Sequence, residues 1–179
     1  MLWIVAGVIG AIVAIVLVLA AMKPAEFRVE RSLEMHALPA SVHRFVNDFA
    51  QWTHWSPWEG IDPNMRRTYS GAAAGVGAHY AWASDNQKAG EGKMTITESS
   101  PEKIAFTIEF IKPIKATNQA SFTFRGEGTK TSVTWTMDGR NNLAGKVFAL
   151  LMNMDKLVGG DFEKGLAKLR GLAEAETKP

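Results

Sequence analysis

The chain has 179 residues, 46% of them apolar, a net charge of +2 and no cysteine. That length bounds it to one domain with an appendage. The missing cysteines exclude disulfides, thiol catalysis and cysteine metal sites, and so small a charge with no basic run argues against a dedicated nucleic-acid binder.

Met1 to Met22 carry no charged side chain, and Leu2 to Ala21 is nearly all Ile, Val, Leu and Ala. About 20 apolar residues match the roughly 30 Å hydrocarbon core of a bilayer, so residues 1–22 are predicted to be a transmembrane anchor. The competing reading is a cleaved signal peptide, with Val18-Leu19-Ala20 as its cleavage site. The lack of a basic n-region and the length of the run favour the anchor. Lys23, Arg28 and Arg31 follow the span, and the positive-inside bias then puts the rest of the chain in the cytoplasm, with the opposite side left open. The linker is residues 23–25, so a domain over 26–175, with a tail at 176–179, must sit close to the membrane surface.

Phe27, Val29, Leu33 and Met35 alternate with polar residues as a half-buried strand, with Arg31 the one break in the pattern. Pro39 opens a short helix whose buried face is Val42, Phe45, Val46 and Phe49. Three tryptophans, Trp52, Trp55 and Trp58, then fall within seven residues. Six further strands follow: Met65 to Ser70; Val76 to Trp82; Met94 and Ile96 through Glu98; Ile104 to Phe110; Ala120 to Phe124; and Val133 to Met137. Gly, Asn-Asp and Pro turns divide them, so neighbours are predicted to pair antiparallel. Pro113 marks a bulge, edge or connection.

From Asn142, a plausible N-cap, to about Ala175 the apolar residues Val147, Leu150, Leu151, Met154, Leu157, Val158, Phe162, Leu166 and Leu169 recur at helical spacing. The spacing predicts one long amphipathic helix, roughly 34 residues and about 50 Å, buried against the sheet. Gly159-Gly160 inside it costs up to about 1 kcal/mol per residue relative to Ala, which close helix–sheet approach or a kink beside a ligand would explain. The fold class is α+β: a curved seven-stranded antiparallel sheet wrapped on a long C-terminal helix, plus the N-terminal membrane helix.

This order resembles the START-like, or SRPBCC, superfamily with its helix-grip fold, and within it the polyketide cyclase/dehydrase and lipid-transport-like group. The resembling stretches include Val29-Glu30-Arg31-Ser32, Pro39-Ala40-Ser41-Val42, Trp52-Thr53-His54-Trp55-Ser56-Pro57-Trp58, Tyr69-Ser70-Gly71, Val76-Gly77-Ala78, Phe122-Thr123-Phe124, Thr134-Trp135-Thr136-Met137 and Gly159-Gly160-Asp161-Phe162-Glu163. Together they span about Glu26 to Leu172. The resemblance implies a deep apolar cavity between sheet and helix that holds a lipid, polyketide, sterol or quinone. A minority of such proteins catalyse.

On that reading the candidate ligand-binding residues are Trp52, Trp55, Trp58, Tyr80, Trp82, Phe106, Phe110, Phe122, Trp135, Met154 and Asp155. The strand aromatics either fill a core or line a cavity of apolar walls with few polar groups. The tryptophan segment either plugs the core, rims the mouth or touches the bilayer. Asp155, beside the apolar stripe, needs a partner or a raised pKa, and is either a structural acid or a base or head-group contact. His54 and His79 are the imidazole acid/base candidates. No histidine pair has metal-ligand spacing and no glycine pattern makes a phosphate loop, so no metal or cofactor is expected. The favoured expectation is a membrane-anchored domain binding a hydrophobic small molecule. The rivals are a cyclase/dehydrase-type enzyme using Asp155 or a histidine, and a pocketless interaction domain. The oligomeric state is not legible.

Overall fold

Alternation of apolar and polar residues becomes a seven-stranded antiparallel sheet. The computed structural model of the chain describes residues 2–151 and 153–176, leaving aside the side chains of residues 2, 151 and 154. Its elements are α1 (Leu2–Met22), β1 (Glu26–Met35), α2 (Pro39–Asn47), a 3-10 turn (Phe49–His54), β2 (Arg66–Gly71), β3 (Ala78–Ala83), β4 (Glu91–Ser100), β5 (Lys103–Lys112), β6 (Ala116–Glu127), β7 (Lys130–Arg140), α3 (Leu143–Leu151) and α4 (Met154–Ala175). The sheet order is β1-β7-β6-β5-β4-β3-β2. The meander of β2 to β7 joins consecutive strands by short connections, and β1 closes on β7, pairing Glu26 with Arg140 and Met35 with Thr131.

One face of the sheet is apolar and concave, and the other carries threonines, serines, lysines and glutamates. Val29, Tyr80, Ile96, Phe106, Phe122 and Trp135 all lie on the buried face, with Ile96 paired to Phe106 and Phe122 to Trp135 across neighbouring strands. α4 lies along β1 and reaches β7, and α2 covers β5 and β6. Phe162, Leu166, Leu169 and Ala173 are the buried stripe of α4. The helix therefore grips the β1 side of the sheet and leaves the β2 side to other residues.

The single C-terminal helix expected from Asn142 is in fact two. Asn142 does cap its helix, accepting from the Gly145 amide at 2.9 Å. α3 then stops at Leu151, and Asn153 makes a second cap, accepting from the Lys156 amide at 3.0 Å. Asp155 falls in the first turn of α4, where a negative charge suits the helix dipole. A cap residue followed by an acidic first turn is a helix start, and it overrides continuous apolar spacing because the spacing cannot tell one helix from two. α3 packs on α1, where Lys146 Nζ donates to the Ala21 carbonyl and Ala20 is fully buried. The gripping helix is thus about 33 Å long, not 50 Å.

Candidate functional site on the concave face

At the α2 end the space between sheet and α4 is filled. Trp135 stacks on Phe162 with ring centroids 4.0 Å apart and planes 4° from parallel. Trp52 and Trp55 pack edge-on against Trp135 and Phe122, and Trp52 also meets Phe106. Their indoles donate to the carbonyls of Val46 and Phe45 at 2.9 and 3.0 Å. Those carbonyls belong to the last turn of α2, which has no helical partner for them. The tryptophan segment therefore caps α2 and plugs the core in one stroke.

The packing thins towards the other end of the sheet. Along β5, Ile104 and Phe106 are fully buried, Ile108 is 8% exposed and Phe110 only half-buried. β7 repeats the trend from Val133 through Trp135 and Met137 to half-exposed Gly139, and β3 from Ala78 through Tyr80 to half-buried Trp82. In β6, Phe122 and Ala120 give way to Asn118 and then to partly exposed Ala116. Register puts Trp82, Phe110 and Ala116 on one level, through Gly92, so burial falls off on β3, β5 and β6 at the end of the sheet where β1 begins, while Gly139 pairs with buried Asn118 one step further in. Phe27, Trp82 and Phe110 are the half-buried apolar residues of that end, with Trp82 edge-on to Phe110 at 6.1 Å and tied by its indole N–H to the Ala89 carbonyl.

Three polar features lie along the concave face. The buried Glu59 carboxylate accepts from the Tyr80 hydroxyl and from Arg67 Nε, each at 2.6 Å. Burial, and then Glu59, hold the Tyr80 phenol far above its usual range. Arg31 points inward from β1 to the flank of α4, where it pairs with Asp155 at 3.0 Å and Glu163 at 2.7 Å. A Cβ at Gly159 would collide with the Arg31 guanidinium, which accounts for glycine at that position of the helix. The third feature is the Trp135 Nε1–H, fully buried and without a hydrogen-bond partner among the described residues.

The sequence profile of the family described as polyketide cyclase / dehydrase and lipid transport matches residues 26–174. The chain belongs to this family. Similar solved structures carry the same fold at low identity. The di-domain ARO/CYC StfQ from the steffimycin biosynthetic pathway superposes with a TM-score of 0.66 at 8% identity, over 85% of this chain and 52% of that one. The Aha1 dimer from Colwellia psychrerythraea gives 0.59 at 13% identity, over 85% and 99%. Protein CV1439 from Chromobacterium violaceum gives 0.58 at 16%, over 85% and 99%. No functionally curated protein matches the sequence.

For this cyclase/dehydrase-family domain, the residues singled out from the sequence fall into three groups. Trp52, Trp55, Phe106, Phe122 and Trp135 form the filled end, with Trp58 half-buried and edge-on to Trp135 and Phe162 at 5.6 and 6.2 Å. Tyr80, Trp82 and Phe110 run from the filled end to the opening. Asp155 is on the flank of α4, its side chain 59% exposed, and the Arg31 hydrogen bond holds its carboxyl below the usual range. The Met154 side chain lies outside the described residues. His54 is exposed at the end of the 3-10 turn, and exposed His79 bonds Thr95 at 2.7 Å. His79 also lines a surface cleft of about 230 Å³ with Asp48 and Tyr69, on the β2 side. The residues missed were Glu59 and Arg67. Arg67 had a signal: it sits two positions from Tyr69, opposite Trp82, on the inward face of β2.

Proposed function

We propose that the chain is a membrane-anchored, ligand-binding member of its family, taking an apolar small molecule into the open end of the concave face. The observation that carries this is the loss of burial at one level of β3, β5 and β6, where Trp82, Phe110 and Ala116 are only partly buried. A pocketless interaction domain gives no reason for large aromatics to stand half-covered side by side there. Trp82, Phe110, Ile108 and Met137 give apolar walls, and Asn118 sits beside them as a buried amide. The Trp135 N–H, one step further in than Met137, is a buried donor without a partner among the described residues. An unpaired buried donor costs about 1–3 kcal/mol, which a carbonyl or hydroxyl at the end of the ligand recovers. The class is therefore a lipid, isoprenoid or polyketide-like molecule with a polar terminus.

Anchoring by α1 supports the same reading. Trp3–Met22 has a mean hydropathy of 3.0 and is almost entirely uncovered by the domain, as a helix in lipid would be. Placing a protease site at 23–25 lets the folded domain be cut from purified membranes and weighed by native mass spectrometry. A bound apolar species in the wild type, absent from Phe110→Asp, is the expected result. A ligand-free mass for the wild type overturns the binding reading.

A further inference from the structure

The end of the sheet that opens also carries apolar side chains that the domain leaves bare. Strand register sets the start of β1, the end of β7 and the β5–β6 hairpin tip side by side, through the pairs Glu26–Arg140, Gly139–Asn118 and Ala116–Phe110. Ile111 and Ile114 in the hairpin tip, and Leu143 and Phe148 in α3, are 37% to 51% exposed. Single exposed apolar residues are ordinary, but here Ile111 and Ile114 flank the tip beside the end of β7, and α3 begins just after β7 ends and packs on α1. That end is also where α1 leaves the domain. Only Lys23, Pro24 and Ala25 separate Met22 from β1, a reach of at most about 10 Å. Even that is fastened, since the Asn141 amide donates to the Ala25 carbonyl at 2.8 Å.

Charge follows the same geography. Lys23, Lys88, Lys112, Lys115, Arg140 and Lys146 lie on the linker, the two hairpin tips and the β7–α3 segment. Glu26, Asp85 and Glu91 lie at this end, with Glu91 already paired to Lys112 at 2.8 Å, and Glu109 and Asp138 just behind it are paired to Lys93 and Arg28. Arg66 and Asp62, at the β2 edge, offset one another. Apolar side chains set among lysines, on a short helix packed beside a bilayer-length one, form a surface suited to a lipid headgroup layer.

We propose that this rim, α3 with the β5–β6 tip, docks on the anionic surface of the bilayer that α1 spans. Leu143, Phe148, Ile111 and Ile114 enter the headgroup boundary, and the lysines face lipid phosphates. The mouth of the concave face then opens directly at the lipid. The inference rests on the anchoring part of the proposed function, and its test keeps the two apart.

The chain has no cysteine, so single nitroxide labels can be attached at Ile114→Cys, at Phe148→Cys and, as a control at the opposite end of the sheet, at Thr129→Cys. The full chain goes into nanodiscs holding one copy each, made of phosphatidylcholine with or without phosphatidylglycerol. Carbonate extraction of the source membranes reports anchoring separately. The expected result is a carbonate-resistant chain. Labels at 114 and 148 should be several-fold more accessible to oxygen than to a water-soluble nickel chelate, while the label at 129 stays aqueous. The preference should depend on phosphatidylglycerol and weaken in a Lys88→Glu, Lys115→Glu background. One copy per disc means that lipid-like readings cannot come from a second chain. Aqueous readings at 114 and 148 in a carbonate-resistant chain overturn the docking and leave the anchor standing. Lipid-like readings indifferent to phosphatidylglycerol overturn it as well, and release by carbonate removes the anchor and the docking together.

Discussion

The two ends of the concave face use the same residue types to opposite effect. At the α2 end, aromatic side chains from β5, β6 and β7 meet Trp52, Trp55 and Phe162 and leave no layer open. At the α1 end, Trp82, Phe110 and Phe27 are only partly buried, and α3 packs on α1. An aromatic stripe is a core or a wall according to which segment folds over it. Here the tryptophan loop is that segment at the α2 end.

The sharpest way to break this contrast is to truncate one aromatic at each end. Trp135→Ala should cost about 3–5 kcal/mol, as expected for a large buried aromatic whose neighbours cannot close the gap. Phe110→Ala, already half in solvent, should cost about 1–2 kcal/mol, in proportion to the area it buries. Denaturant titration of both variants in the same detergent checks the ranking. Equal losses would mean that the opening is as tightly packed as the plug.

Glycines in α4 give a second, smaller contrast. A Cβ at Gly165 would lie 2.9 Å from Trp135 and 3.0 Å from Pro57, both held in the packed end. Gly165→Ala should therefore destabilise by about 1–3 kcal/mol. Gly160 has open space on that side, so Gly160→Ala should stabilise the helix by up to about 1 kcal/mol. Opposite signs in thermal melts are the expected outcome.

Tyr80 lies where the two regimes meet, and its titration reports on that border. Its folded-state pKa is raised by burial and by Glu59. The stability it contributes is whole below the ordinary value of 10.0 and is lost as pH rises beyond it. Melting temperature should fall above about pH 10 in the wild type. In Tyr80→Phe that part of the alkaline fall should vanish, while stability at neutral pH drops by about 1 kcal/mol for the lost hydrogen bond.

Most of the fold was legible because period-two alternation survives in most strands, β2 being the exception, and because α1 is apolar throughout. The inward Arg31 was visible as a break in an otherwise apolar face, and Gly159 as an unexplained glycine in a helix. Only the structure joins the two, since Arg31 and Gly159 are far apart in sequence. The split of the C-terminal helix escaped because Val147, Leu150 and Leu151 continue the stripe of Leu157, Val158 and Phe162 in phase. Asn153 with Asp155 was the available signal, and a cap outweighs a stripe. The opening itself had no sequence signature. The same alternation of Phe and Trp runs through the buried and half-buried halves of β5 and β3 alike.

The smallest effect belongs to Asp155, the carboxylate the sequence offered for the site. Its carboxylate is mostly in solvent and faces Arg31, so replacement by Asn removes one ion pair that water already screens. With its folded-state pKa depressed by Arg31, Asp155 contributes stability that is whole above its ordinary value of 3.8 and fades as pH falls through the lower folded value. The Asp155→Asn variant should melt only slightly below the wild type at neutral pH, and the gap should close in acid, below about pH 4, where the wild type loses the same ion pair. Ligand recovered with the released domain should be unchanged, because the side chain is outside the walls formed by Trp82 and Phe110. A loss of bound ligand in this variant, with the neutral melt intact, would move the mouth from the sheet end to the start of α4 and give Asp155 the polar contact that the Trp135 N–H is assigned above.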